Sequence, residues 1–324
     1  MNESIERIMR ILSLKGLVPP SANAYKLGTQ GLSGEVYGIN SGKEKFILKF
    51  YRKGDSSKVI KEMKIYPYLL SFGVPVPKVY FADAEGKIAK RPFLLIQRLE
   101  GETFNSLLKK GKGREFVESL AWSLHKFHSA HLSGLDLKLE KKTLKEEISE
   151  LRIMAMVFLA FSVSLSTLRR AYKALSEISK TPLKSGTPAL LHGDCSPDNA
   201  IYCDGTVYLI DLENVYVGNP AFDVGYAYHF IRFGTPRNSS LADHFVRTYE
   251  ALHGKIMNLE VCKRLAALKI AVVIKLLSSI NLLTVLLLGL RRAMGFLAFR
   301  RYLSRFAEYC LEYAEKGGAE LSLN

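Results

Sequence analysis

Between Leu190 and Asp211 the chain reads LLHGDCSPDNAIYCDGTVYLID, and no other stretch constrains it as much. Asp194 stands five residues before Asn199, and a short β-hairpin then brings a second acid, Asp211, off its end. In kinase-type phosphoryl transfer one carboxylate accepts the proton of an attacking hydroxyl, while an amide oxygen and a second carboxylate hold Mg²⁺ against the phosphates of a nucleotide. Asp194, Asn199 and Asp211 have the residue types and the spacing for those three roles. A turn rich in Asp and Asn accounts for one such acid, but not for three groups at this spacing between apolar strands.

The rest of the chain is long enough to house such a site. Its 324 residues, 48% hydrophobic and 24% charged, suffice for one large or two modest domains with a sizeable core. The first twenty residues, MNESIERIMRILSLKGLVPP, mix acids with apolar residues and lack both a continuous apolar stretch and a small-residue cleavage site, so they do not read as a secretory signal. A cytoplasmic location is expected. Cys195, Cys203, Cys262 and Cys310 have no paired spacing, which disfavours zinc and fits reduced structural thiols. Cys195, beside the candidate base, is the one with a case for accessibility.

Turn chemistry and residue type set the order of elements. An amphipathic helix over residues 1 to 18 stops at Pro19-Pro20. Strands are expected at Ala24 to Thr29, Glu35 to Ile39 and Lys45 to Tyr51, then a helix at Ser57 to Ser71 and strands at Lys78 to Ala82 and Pro92 to Gln97. Beyond Leu99 to Gly101 helical spacing dominates: Phe116 to His131, Leu144 to Leu175, Pro220 to Phe233, Leu241 to His253 and most of 258 to 315, interrupted by the Leu190 to Asp211 hairpin.

The HGD triplet, the DLE after the hairpin and the following GNPAFDVGYAY resemble the aminoglycoside phosphotransferase and choline kinase group. The resemblance covers about residues 24 to 250 and is specific over 191 to 225. It implies an α+β, bilobal protein-kinase-like fold: an N-terminal lobe, 1 to 99, with an antiparallel sheet and one helix that bind nucleotide, and a larger, mostly helical lobe, 100 to 324, for catalysis and the acceptor. It also implies ATP and Mg²⁺ as cofactors, with Asp194 as the catalytic base and Asn199 and Asp211 as metal ligands.

The same resemblance distributes roles over the first lobe. In GTQGLSGEVYGI the looser GxSxxVY form fits Gly31, Ser33, Val36 and Tyr37, and with Gly34 it makes a loop whose backbone amides approach phosphate oxygens without Cβ clashes. An ordinary glycine-rich hairpin looks similar, and the position before Lys49 strengthens the phosphate reading. Lys49 in FILKF falls where an ammonium would reach the α- and β-phosphates, and its apolar flanks argue against an unpaired surface lysine. Glu62 is placed to pair with it, although Lys58, Lys61 and Lys64 offer other partners. The linker PFLLIQRLEG puts Ile96 at the back of an adenine pocket and makes the Gln97 carbonyl and Leu99 amide its hydrogen-bonding groups. His192 and Asp223 are expected to brace the catalytic loop. His125, His128 and His131 belong to a helix that resembles the family's LAxLH segment, with no acid or thiol spaced to complete a metal site.

The acceptor is less constrained. Residues 255 to 307 carry ten Lys or Arg against Glu260 alone, a field that attracts anions rather than polycations. Ile153 to Leu168 and Leu276 to Leu290 run 16 and 15 residues without a charge. Both fall short of the roughly 20 residues of a bilayer span and read as core or as ligand-facing helices. A small-molecule or lipid-like hydroxyl acceptor is expected, with the basic block able to touch an anionic membrane surface. Nucleic acid as a partner is disfavoured, and oligomeric state is not encoded legibly. The alternatives are an atypical protein kinase, opposed by the short interval between Asp211 and GNPAFD, and a non-catalytic kinase-like protein that binds nucleic acid or lipid.

Overall fold

The computed structural model describes residues 3–30, 34–42, 44–162, 165–235, 240–288 and 290–317, with side chains except in 28–30, 34, 158–162, 276–288 and 290–301. It divides into two compact units, one of residues 1–139 and 198–215, the other of 140–197 and 216–324.

The first unit is built on a five-stranded antiparallel sheet. Helix α1 (Glu3–Leu14) precedes β1 (Asn23–Gln30), β2 (Gly34–Asn40) and β3 (Lys45–Phe50); α2 (Ser56–Ser71) then leads to β4 (Val79–Asp83) and β5 (Phe93–Gln97). The strand order is β1-β2-β3-β5-β4. Side chains alternate between the faces of a strand, so β3 has two opposite tasks. Phe46, Leu48 and Phe50, with Phe93 and Leu95 of β5, form a core closed by Ile5, Ile8 and Leu12 of α1. Ile47 and Lys49 face the other way, in register with Ile96 and Leu94, while Val36 of β2 is the partner of Lys49. Helix α2 ends in a Schellman turn: Gly73, at φ +67°, donates to Leu70 O and Val74 N to Leu69 O.

This unit also contains α3 (Phe104–Lys109), α4 (Gly113–His128) and the hairpin of β7 (Ala200–Cys203) and β8 (Thr206–Leu209). The sequence reading missed α3. It is six residues long, too short for a periodic signal, and is held by Thr103, whose hydroxyl accepts from Ser106 N at 3.3 Å. The chain passes so close to β7 at Gly101 that a Cβ there would lie 2.3 Å from Tyr202 O.

The second unit comprises α5 (Leu144–Ser162), α6 (Leu165–Lys180), β6 (Ala189–Leu191), β9 (Tyr216–Gly218), α7 (Ala221–Gly234), α8 (Ser240–His253), α9 (Leu259–Leu288) and α10 (Leu290–Lys316). The stretch expected as a single hairpin from Leu190 to Asp211 divides: β6 pairs with β9, and only β7 and β8 make the hairpin. Three-residue strands carry too little pattern to declare a distant partner. Arg264 of the basic block caps the end of α10, donating to Ala314 O at 2.8 Å and Glu315 O at 3.1 Å, and pairs with Glu177 at 3.1 Å. The side chains of the two uncharged runs fall outside the described residues at 158–164 and 276–290. No helix among the described residues is long and apolar enough to cross a membrane.

Helices α7 and α9 touch at Gly225, where a Cβ would sit 2.9 Å from Lys263 Cα. In an exposed helix Gly→Ala would stabilise by about 1 kcal/mol. Here the neighbour is backbone and has to shift as a whole. We expect Gly225→Ala to destabilise the protein by about 1–3 kcal/mol, read as a fall in melting temperature; a rise would show that the two helices do not meet at this point.

Candidate active site

The face of the sheet opposite α1 forms one wall of a cavity of about 370 Å³, the size of a small-molecule site. Val36, Ile47, Ile96, Leu27, Ile201 and Ile210 supply apolar surface, and Lys49 and Asp211 stand on its lining. Gln97 and Leu99 also line it. Leu99 N–H bonds to no other described residue, whereas Gln97 N–H is taken by Lys78 O at 2.8 Å. Of the loop residues singled out above, Gly31 and Ser33 lie outside the described residues. Gly34 opens β2 as the partner of Gln30, and Val36 follows on the cavity wall.

Lys49 is buried at 4% exposure, and its ammonium is ringed by carboxylates. Nζ lies 2.6 Å from Asp211 Oδ1, 3.3 Å from each Glu62 oxygen and 3.7 Å from Glu213 Oε2. Burial works to lower the lysine's pKa, but Glu62 and Asp211 outweigh it and hold the ammonium charged. Glu62 is wholly buried and has the opposite problem. Burial pushes its carboxyl up to about 7 against the pull of Lys49, with Asp211 and Glu213 adding repulsion. The shorter contact identifies Asp211 as the stronger partner of Lys49, and Glu62 shares what remains of the charge. Tyr51 donates a hydrogen bond to Glu62.

Asp211 adopts a left-handed conformation, φ +65° and ψ +61°, one that non-glycine residues seldom take. The Tyr66 hydroxyl of α2 holds it there by accepting from Asp211 N at 3.0 Å. Asn199 is brought to the same end of the β7–β8 hairpin, because Ile210 N donates to Asn199 O at 3.0 Å immediately beyond the last strand pair. The hairpin thus brings the backbone of two oxygen-bearing residues, one an amide and one a carboxylate, to the same end. That donor set suits Mg²⁺, which takes few protein ligands and keeps water and phosphate oxygens.

The second unit holds Asp194. Its loop owes its shape to Gly193, at φ +80°, and to the buried carboxylate of Asp223, which accepts from His192 N at 2.6 Å and Gly193 N at 3.0 Å. Asp223 therefore braces the loop from the backbone side. Tyr226 of α7 donates its hydroxyl to Asp194, and its own pKa is raised by burial and then by that carboxylate. Cys195 proves to be buried at 1% exposure rather than accessible, with its thiol pushed up by burial.

Sequence reasoning missed Tyr51, Tyr66 and Glu213. The first lies two residues beyond Lys49, on the same side of an extended chain, and the last is the third residue of the DLE triplet; both were signals available in the sequence. The lysines that compete for Glu62 go elsewhere. Lys58 bonds Glu213 at 3.1 Å, Lys61 the Glu213 and Val215 carbonyls at 3.0 and 3.3 Å, and Lys64 Asp136 at 2.7 Å.

Glu62 also makes stability depend on pH. Its folded pKa of about 7 exceeds the ordinary 4.5, so the fold favours the protonated form. The resulting stability is complete below the unfolded value and is lost as pH rises through 7. The groups facing Glu62 are Lys49, charged throughout this window, the carboxylates of Asp211 and Glu213, and the hydroxyls of Tyr51 and Tyr66. We expect the melting temperature to fall between about pH 5 and pH 8, by the equivalent of at most about 3 kcal/mol, and Glu62→Gln to flatten that slope. An unchanged slope in the variant would remove Glu62 as its source.

The sequence profile of the phosphotransferase enzyme family matches residues 25–259. A search of curated protein sequences returned no relative of this chain. Among solved structures, a provisionally assigned aminoglycoside phosphotransferase of Ralstonia eutropha JMP134 superposes with a TM-score of 0.73 at 14% identity, over 96% of this chain and 98% of that one. A thermostable mutant of aminoglycoside phosphotransferase APH(4)-Ia, in ternary complex with AMP-PNP and hygromycin B, gives 0.67 at 15% identity, over 96% and 99%. A choline/ethanolamine kinase family protein of Mesorhizobium loti gives 0.61 at 16% identity, over 97% and 100%. These likenesses establish the protein-kinase-like fold, and the match over most of its length makes this chain a member of the phosphotransferase enzyme family.

Proposed function

We propose that the protein transfers the γ-phosphoryl group of ATP, with Mg²⁺, to a hydroxyl of a small-molecule or lipid-like acceptor. The observation that carries this reading is the buried Lys49, held between Glu62 and Asp211 on the wall of an apolar cavity of nucleotide size. A flat purine fits between Val36, Ile47 and Ile96 on one side and Ile201 and Ile210 on the other, with the Gln97 carbonyl and Leu99 amide reading its edge. Residues 1 to 99 then serve as the nucleotide lobe, with the Gly31, Ser33 and Gly34 loop over the phosphates, and 100 to 324 as the catalytic and acceptor lobe. The four unpaired thiols fit a cytoplasmic setting.

Each role follows from the chemistry of its residue. Lys49 balances phosphate charge, and Glu62 fixes its direction. Asn199 and Asp211 are the metal ligands; bound Mg²⁺ neutralises charge on the phosphates. Asp194 orients the acceptor hydroxyl and receives its proton, and its aim is set by the Asp223-braced backbone and by Tyr226. Positioning and charge neutralisation supply most of the rate in such transfers.

For the acceptor, the charge pattern favours a neutral or anionic molecule, including one with an apolar tail. A polycation needs several free carboxylates, because like charges in a partly desolvated pocket repel by several kcal/mol. Most of the acids best placed in sequence to supply them are engaged: Glu146 with Thr143 at 2.6 Å, Glu150 with Lys142 at 2.7 Å and Asp243 with Tyr228, while burial raises the Glu147 carboxyl and disfavours its charge. The Lys/Arg-rich 255 to 307 segment is consistent with contact to anionic headgroups.

Asp194→Asn should retain ATP binding and lower kcat by about 10² or more, and Asp211→Ala should abolish turnover without unfolding the protein; near wild-type turnover of Asp211→Ala at saturating Mg²⁺ would refute the metal assignment. The acceptor class is tested by labelled-ATP assays on sugars, polyols, prenyl and other lipid alcohols, and kanamycin-type aminoglycosides. We expect transfer to a neutral or anionic alcohol. A micromolar KM for an aminoglycoside at physiological salt would overturn the acceptor reading.

A further inference from the structure

One face of α2 is committed to the segment that follows the β7–β8 hairpin. Lys58, Lys61, Glu62 and Tyr66 recur at helical spacing along it. Lys58 Nζ bonds Glu213 Oε1 at 3.1 Å; Lys61 Nζ bonds Glu213 O at 3.0 Å and Val215 O at 3.3 Å; the Tyr66 hydroxyl accepts from Asp211 N at 3.0 Å. Glu213 is 7% exposed, so this is no loose surface pair, and its second oxygen lies 3.7 Å from Lys49. Neither Lys58 nor Lys61 lines the cavity.

We propose that Lys58, Lys61 and Glu213 are positioning residues, an ionic latch that fixes α2 on residues 211–215 so that Glu62 and Asp211 are presented to Lys49 together. The proposal rests on the nucleotide reading above. Lys49 and Lys58 pair with the carboxylates of Glu62, Asp211 and Glu213, while Lys61 holds the Glu213 and Val215 carbonyls. Each carboxylate has a different nearest cation or donor, so Asp211 would be free to hold a metal ion while Lys49 keeps Glu62 and the nearby Glu213 as counter-charges. Tyr66 sets the backbone of Asp211, and Lys61, through two carbonyls, sets the backbone that follows it. Without the two lysines α2 keeps its buried contacts but loses its ties to residues 213–215, and the aim of Glu62 loosens with them.

The test measures dissociation constants of MgATP and of adenosine for the full chain. The variants are Lys58→Met, Lys61→Met, Lys58→Arg and Lys64→Met; the last removes the same charge from the same helix but pairs with Asp136. Adenosine reports the apolar cavity alone, and MgATP reports the phosphate and metal end as well. We expect Lys58→Met and Lys61→Met each to weaken MgATP by about tenfold, the scale of a lost charged hydrogen bond, with adenosine unchanged. Lys64→Met should leave both near wild type, and Lys58→Arg should restore MgATP. If Lys64→Met weakens MgATP as much as Lys58→Met, the effect is long-range charge and the latch is refuted. If adenosine and MgATP weaken equally, α2 only supports the fold and the latch is again refuted. A wild-type protein that binds MgATP no better than adenosine would sink the nucleotide reading itself, and the latch with it.

Discussion

A lysine ammonium removed from water is the constraint around which the first unit is organised. Lys49 is carried into the interior by β3, whose other face packs on α1, so it cannot turn outward without reversing the strand and exposing Phe46, Leu48 and Phe50. An ammonium buried alone would lose its proton or unfold its surroundings. Asp211 and Glu62 keep it charged. The requirement fixes both providers: α2 has to run where Glu62 reaches β3, and the hairpin has to end where Asp211 does.

Those providers are themselves held at some expense. Asp211 sits in a left-handed backbone, and Glu62 in a site so dry that its carboxyl is pushed to about 7. Strain and raised pKa values of this kind persist only where the surroundings over-determine them, and they concentrate at functional sites. Here the surroundings are Tyr51, Tyr66, Lys58 and Lys61. The same reasoning covers the loop of Asp194, where Asp223 accepts two backbone amides and a glycine takes the positive φ. There a buried carboxylate shapes backbone, as the Tyr66 hydroxyl does at Asp211.

How legible this was depended on distance along the chain. The meander, α2 and the long helices declare themselves by period and by Pro and Gly punctuation, since those signals are local. The pairing of Lys49 with Glu62 was legible through the family resemblance, which places one on a strand and the other on the helix that follows. What stayed hidden was partner choice among equals. Lys58 and Lys61 share a helix face with Glu62, and nothing local shows that they turn to Glu213 and to backbone carbonyls. The pairing of β6 with β9 was hidden because each strand has three residues. Helix α3 was missed for its brevity, and the burial of Cys195 because its neighbours in sequence are polar. Ile201 and Ile210 alternate beside Asn199 and Asp211, a signal for the cavity floor that was present and unused.

The most direct test of the account is a crystal structure of the protein with Mg²⁺ and a non-hydrolysable ATP analogue. The account predicts the base against Val36, Ile96, Ile201 and Ile210, a phosphate oxygen within hydrogen-bonding distance of Lys49 Nζ, the metal on Asn199 and Asp211, and Glu62 still on Lys49. A nucleotide bound elsewhere, or one seated in the cavity with Lys49 and Asp211 still paired to each other and touching neither phosphate nor metal, would contradict it.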